Sequence, residues 1–166
     1  MPRIEPIPAD PDGNAVTNSV LARVLGRRPE ILAAYARLDN TVRFKGTLPL
    51  ELKEAVRRAT AQQVGCEYCQ SLGAPRTDLD KAQSLAVAFA QAVAEDPSAI
   101  TDAQFDVLRE EFSDDEIVEL VAFICFVSVS GQMFGAVMGL EATDAEEAAE
   151  YQAALSGRSQ RRVEIT

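Results

Sequence analysis

The chain has 166 residues, 47% of them hydrophobic, and a formal net charge of −10. That length fits one domain with a sizeable core, and the acidic balance argues against nucleic-acid partners, which are bound by basic patches. The chain contains no histidine, which removes the commonest general base and the commonest nitrogen ligand for zinc.

The first sixteen residues carry Pro2, Pro6, Pro8 and Pro11 and read as an extended arm, residues 1–16. They lack the apolar run of a signal peptide, so a cytoplasmic location is expected. Helical periodicity then takes over. Asn18 or Ser19 caps "SVLARVLG", and Gly26 ends it. Pro29 suits the first turn of "PEILAAYARLDNTVRF", with Ile31, Leu32, Tyr35 and Leu38 on one face. After the linker "KGTLP", Pro49 opens "PLELKEAVRRATAQQVG". Leu52, Ala55, Val56 and Ala59 form its apolar stripe, and Gly65 closes it.

The second half repeats this logic. Thr77 or Asp78 is the expected cap of "LDKAQSLAVAFAQAVAED", which Pro97 ends, and Thr101 caps "DAQFDVLREEF". Ser113 with Glu116 forms a capping box ahead of the most apolar stretch, "IVELVAFICFVSVSGQMFGAVMGL". Glu119 lies inside that stretch, and Ser128, Ser130, Gly131 and Gln132 interrupt it, so it reads as a core helix with no membrane partner expected. Thr143 with Glu146 is a second box, ahead of "DAEEAAEYQAAL", and Gly157 is the expected stop. The expected organisation is an all-α bundle over residues 17–157, with 158–166 as a polar tail.

Chemistry concentrates in "VGCEYCQSLG", where Cys66 and Cys69 stand in C-x-x-C spacing. Three readings compete. Zinc needs about four ligands, and the third thiol, Cys125, sits among Phe123, Ile124, Phe126 and Val127 as a small core hydrophobe, so no metal is expected. An inert structural pair is the second reading. A redox dithiol is favoured, because a reducing compartment makes C-x-x-C a working motif. Gly65 also places Cys66 at the start of a new turn, where free N–H groups favour a thiolate. By that local argument Cys66 is the more accessible thiol. Tyr68 offers either a phenol to the dithiol or an aromatic ring to the core. Met133 and Met138 read as filler. Gly131, Gly135 and Gly139 recur every four residues and read as a helix-packing stripe.

The segment "FKGTLPLELKEAVRRATAQQVGCEYCQSLG" resembles the carboxymuconolactone decarboxylase-like superfamily, in its alkylhydroperoxidase AhpD-like branch. The matching features are the F-x-G-x-L-P entry, a helix carrying a glutamate, and G-C-x-Y-C. "RPEILAAYARLDNTV" and "DAQFDVLREEFSDDEIVEL" look similar too, so the resemblance spans about Leu21 to Leu140. It implies an AhpD-like helical bundle and a proton relay. The relay glutamate lands on Glu54, twelve residues before Cys66, and the dithiol lands on Cys66 and Cys69. The resemblance makes Cys69 the attacking thiol and Cys66 the resolving one, against the local argument, and the order stays open. The family's two relay histidines fall on Tyr68 and Gly73, so both are absent. If Glu54 is buried beside the dithiol, desolvation should raise its pKa and suit it to proton transfer.

The implied activity is thiol-dependent reduction of a small hydroperoxide, with an external thiol reductant restoring the dithiol. A lactone decarboxylase-like lyase, or an oligomeric scaffold with a non-catalytic dithiol, are the alternatives. The resemblance also implies a homo-oligomer, a trimer or hexamer, with a dimer as a further option. The chain has no glycine-rich phosphate loop, and no organic cofactor is expected.

Overall fold

The structure is a computed structural model and describes residues 1–156. Among these residues there are helices and turns and no strand, so the fold is all-α. The expected stop at Gly157 and the tail 158–166 lie outside the described residues.

Local chemistry sets most of the boundaries. α1 (Val20–Leu25) is capped by Ser19, whose hydroxyl accepts the Ala22 N–H at 3.2 Å. α2 (Pro29–Phe44) starts on Pro29, whose missing N–H would have had no helical partner. α3 (Leu50–Val64) follows Pro49 and stops at Gly65 (φ 76°, ψ 29°), in the left-handed region that glycine enters without a Cβ clash. That stop delivers Cys66 as the cap of the short α4 (Glu67–Ser71). α5 (Lys81–Glu95), a 3₁₀ turn at Pro97–Ala99 and α6 (Asp102–Leu108) follow. The apolar stretch forms α7 (Asp114–Ala122), a π-helical segment (Phe123–Ser128) and α8 (Val129–Met138), and α9 (Ala145–Leu155) comes last.

Two caps differ from expectation, each because a carboxylate nearer the helix wins. α5 begins after Asp80, not Thr77 or Asp78. Asp80 accepts the Gln83 N–H at 2.7 Å and Gln83 answers to the Asp80 N–H, while Asp78 is turned to Arg76. α9 is capped by Asp144, which accepts the Glu147 N–H at 2.9 Å. Thr143 instead gives its hydroxyl to the Glu147 carboxylate and its N–H to Ser71.

α3 is the central helix. Leu52 and Val56 join Ala86, Phe89 and Ala90 of α5 and Leu120, Phe123, Ile124 and Val127 of the long apolar helix in one core. A second, smaller cluster holds Val24, Ala61, Cys66, Tyr68, Cys69, Leu72 and Leu140. The arm crosses the end of α8, where Arg3 donates to the carbonyls of Ala136 and Val137 at 3.0 and 2.6 Å.

The Asp114–Met138 helix is long and apolar enough to cross a membrane by length and composition. In the fold, one side of it fills the core, and Glu119 explains itself there. Lys53 has no exposed surface, and its ammonium lies 2.6 Å from Glu119 while donating to the Val42 carbonyl at 2.7 Å. Glu119 also accepts the N–H groups of Thr47 and Leu48, at 2.8 and 3.2 Å, fixing the α2–α3 linker. The other side is apolar and uncovered, with Val118, Phe126, Met133 and Val137 all more than half exposed.

The stripe expected on α2 is split, with Leu32 and Tyr35 half-buried and its other two members turned outward. Ile31 and Leu38 are exposed, and the residue α2 buries is Arg43.

Removing one partner of a buried ion pair strands the other charge. Glu119→Ala should therefore lower unfolding free energy by about 3–5 kcal/mol, read as a shift in urea midpoint with little change in slope.

Candidate functional site

The left-handed stop at Gly65 reverses the chain so that α4 doubles back beside the end of α3. Cys66 caps α4, its Sγ accepting the Cys69 N–H at 3.2 Å. The two cysteines are joined as a disulfide, so the state described is the oxidised one. Both are buried: Cys66 has no exposed surface and Cys69 retains 6%. The local expectation that Cys66 is the more accessible thiol is therefore reversed, because α8 lies directly against it. A Cβ added to Gly135 would sit 2.6 Å from the Cys66 sulfur.

The other glycines of that stripe have separate reasons. Gly131 makes room for the Tyr35 hydroxyl, and Gly139, at φ 63°, ends α8 beneath Arg3. The expected helix-packing stripe is thus three different local accommodations, two of them to side chains on other elements and one to a disulfide.

Glu54 lies one face around α3, 7% exposed. Its carboxylate accepts from Arg57 Nε and Nη2, at 2.9 and 2.6 Å, and from Arg58 Nε at 3.0 Å. Arg43 of α2 approaches to 4.0 Å. Burial pushes the Glu54 carboxyl up, but the hydrogen bonds and charge of Arg57, then Arg43 and Arg58, outweigh it and hold the group below the usual carboxylate range. The expected raised pKa is therefore corrected: Glu54 is a buried anion paired with guanidiniums, and no hydrogen bond joins it to either sulfur among the described residues.

Arg57 connects that anion to the dithiol turn. Its Nη1 donates to the Cys69 carbonyl at 2.8 Å, and its guanidinium lies over the Tyr151 ring, 5.3 Å from the centroid. Gln152 donates to the Leu72 carbonyl at 2.6 Å and accepts from Arg58 Nη2 at 2.7 Å. Arg43, Arg57, Tyr151 and Gln152 were not singled out by sequence reasoning. The signal for Arg57 and Arg58 was present, since both stand at i+3 and i+4 from Glu54. α9 offered none.

The positions matching the relay histidines have other duties. Tyr68 is buried and its hydroxyl donates to Glu147 at 3.2 Å; burial first, then that carboxylate, push its phenol well up. Gly73 has φ 148°, and a Cβ there would lie 2.9 Å from the Arg58 Cζ. The Arg58 guanidinium occupies the space a side chain at 73 would need. A cleft of about 140 Å³ opens on the Glu54 side of the network, lined by Glu54, Arg58, Arg76 and Gln152 among others. Cys125 stands apart from all of this, half-buried, with desolvation pushing its thiol up. No cluster of His, Cys, Asp or Glu that could hold a metal occurs among the described residues.

No protein-family model matches the sequence, and no curated protein does. Solved structures do match. An uncharacterized peroxidase-related protein from Silicibacter sp. TM1040 superposes with a TM-score of 0.68 at 18% identity, covering 80% of this chain and 79% of that one. An alkylhydroperoxidase AhpD core, an uncharacterized peroxidase-related protein from Ralstonia eutropha JMP134, gives 0.64 at 19%, covering 90% and 97%. The debrominase Bmp8 gives 0.59 at 22%, covering 77% and 78%. At such identities the likeness establishes a shared fold, and that fold is AhpD-like.

A carboxylate held below its ordinary range stabilises the fold above its unfolded-state pKa, and that contribution is lost as pH falls through the folded value. Glu54 should therefore make the protein acid-labile below about pH 4. Denaturant melts from pH 7 to 3 should show stability falling in wild type, and a shallower fall in Glu54→Gln.

Proposed function

We propose that the protein is a dithiol oxidoreductase that reduces small hydroperoxides at Cys66 and Cys69. One observation carries this reading: the C-x-x-C pair sits bonded at a helix start, packed against the backbone of Gly135 and clamped from behind by Arg57. A structural staple would have no need of the buried charges around it. The likeness to peroxidase-related proteins supports the reaction class.

The cycle starts from the dithiol. One thiolate attacks the distal oxygen of R–O–O–H, the O–O bond breaks, and the departing alkoxide takes a proton and leaves as the alcohol. The attacking sulfur is now a sulfenic acid. The second thiol attacks it, the S–O bond breaks, water leaves, and the disulfide forms. Two thiols have supplied two electrons. An external thiol reductant returns them by exchange through a mixed disulfide. Because both sulfurs are buried, substrate and reductant reach them only through local movement of the elements packed around the dithiol turn. Glu54 and Tyr68 then serve the site through their partners, Arg57 and Glu147, since neither is hydrogen-bonded to a sulfur among the described residues.

The working protein is a homo-oligomer in this reading, most simply a trimer or hexamer in the cytoplasm. The uncovered apolar side chains of α7 and α8, with Ile31, Leu38 and Phe44 of α2, support it, since monomers rarely leave such stretches bare.

Peroxide consumption should be measured with cumene hydroperoxide and dithiothreitol as reductant, with Cys69→Ser alongside. Turnover by wild type and its loss in the variant are expected. A pair that stays reduced under excess peroxide sinks the reading. Because one structural neighbour is a debrominase, solved also as a cysteine-to-alanine variant with 2,3,4-tribromopyrrole, the substrate panel should include a bromopyrrole. Sedimentation should return a multiple of the chain mass, and Phe126→Glu should shift it to one chain. A wild-type monomer at tens of micromolar would remove the oligomer.

A further inference from the structure

The chain has no histidine, so the positive charge beside the dithiol comes from arginine. Arg57 is 5% exposed and uses its donors on two targets. Its Nη1 and Nη2 reach the carbonyls of Cys69 and Leu72, at 2.8 and 3.5 Å, which close the dithiol turn. Its Nε and Nη2 hold Glu54. A side chain that served only to neutralise Glu54 would not also need to span to α4.

The charges around it do not balance. Arg57 and Arg58 on α3 and Arg43 on α2 face Glu54 on α3 and Asp39 on α2. Three guanidiniums against two carboxylates leave the cluster one anion short. Among the described residues no other carboxylate forms an ion pair with these three guanidiniums; Glu51 of α3 lines the same cleft but is exposed to solvent. α9 presents the neutral Tyr151 and Gln152, and its Glu147 is engaged by the hydroxyls of Tyr68 and Thr143. α8 presents Gly135 and the neutral Gln132, which donates to the Arg57 carbonyl at 2.7 Å. On α4, Glu67 is exposed on the outer side. The group that remains is the dithiol, which becomes an anion when it is reduced and loses a proton.

We propose that Arg57 is a positioning residue for the dithiol, clamping the Cys66–Cys69 turn through its carbonyls and supplying the charge against which the thiolate forms. Glu54 then works against thiolate formation by sharing the guanidinium, which inverts the role of proton acceptor that the resemblance gives it. This rests on the redox reading only in requiring that the pair can be reduced.

The test reads thiol ionisation without peroxide, so that failed turnover and failed charge-setting are separate results. Reduced protein in a Cys125→Ser background is alkylated with iodoacetamide from pH 5 to 10, with modified sites mapped by peptide mass. Wild type should show a midpoint below about 8.5, the ordinary thiol value. Arg57→Gln should raise it by about one pH unit, a tenfold loss of thiolate well below the midpoint. Arg57→Lys should restore most of that shift, and Glu54→Gln should move the midpoint down. A purely structural role would change thermal midpoints and leave the alkylation midpoints together. Midpoints that move in the same direction for Arg57→Gln and Glu54→Gln, or not at all, overturn the proposal. If the glutamine variants fail to fold, the wild-type curve still decides, since a midpoint at or above about 8.5 rules out the charge.

Discussion

The Glu54 carboxylate, shared among the guanidiniums of Arg57, Arg58 and Arg43, is the interaction on which the site depends. Burying an anion is costly unless every lone pair finds a donor. Here the donors come from Arg57 and Arg58 of α3, with Gln152 of α9 at 3.5 Å, while Arg43 of α2 adds its charge from 4.0 Å; the α3 guanidiniums go on to hold carbonyls of the dithiol turn and side chains of α9. One charge thereby fixes four helices relative to one another. Apolar packing alone, which is non-directional, would let the second cluster around Cys66 and Tyr68 slide; fixed hydrogen-bond geometry does not.

Much of the fold was legible because its punctuation is local. Pro29, Pro49 and Gly65 act within one turn, and Ser113 with Glu116 forms the expected box. Asp80 and Asp144 were passed over because an alternative cap stood close by, and a choice between adjacent acceptors depends on which side chains are drawn off elsewhere, as Asp78 is by Arg76. α2 misled for a different reason. Periodicity finds a stripe but not what the stripe faces, and here Arg43 goes inward while Ile31 and Leu38 go out. In the site, Cys66, Cys69 and Glu54 came from spacing and resemblance. Tyr151 and Gln152 reach it from about a hundred residues away, and nothing in α9 marks them.

The direction of the Glu54 shift shows why burial by itself is a poor guide to acid–base chemistry. Desolvation does push the carboxyl upward, yet the neighbours that make burial tolerable push it further down. A buried acid flanked by arginines is a fixed charge, where one flanked by apolar groups would be a proton carrier. With histidine absent and Tyr68 pushed upward, the site is rich in charge and poor in groups that titrate near neutrality.

The closeness of Cys66 and Cys69 in the chain also bears on how the fold would endure the proposed redox chemistry. A cross-link stabilises a protein largely by restricting the unfolded chain, and the gain grows with the length of the loop it closes. A bridge between residues three apart closes almost the shortest loop available. By the chain-entropy relation it is worth only about 2 kcal/mol, against about 4.7 kcal/mol for a loop of about 100 residues. Opening it costs the fold little, while α3, α8 and the Glu54 cluster hold the surroundings in register. The proposed redox cycle would therefore make and break this bond without bringing the protein near its own unfolding, as a reusable electron store requires and a structural tie does not.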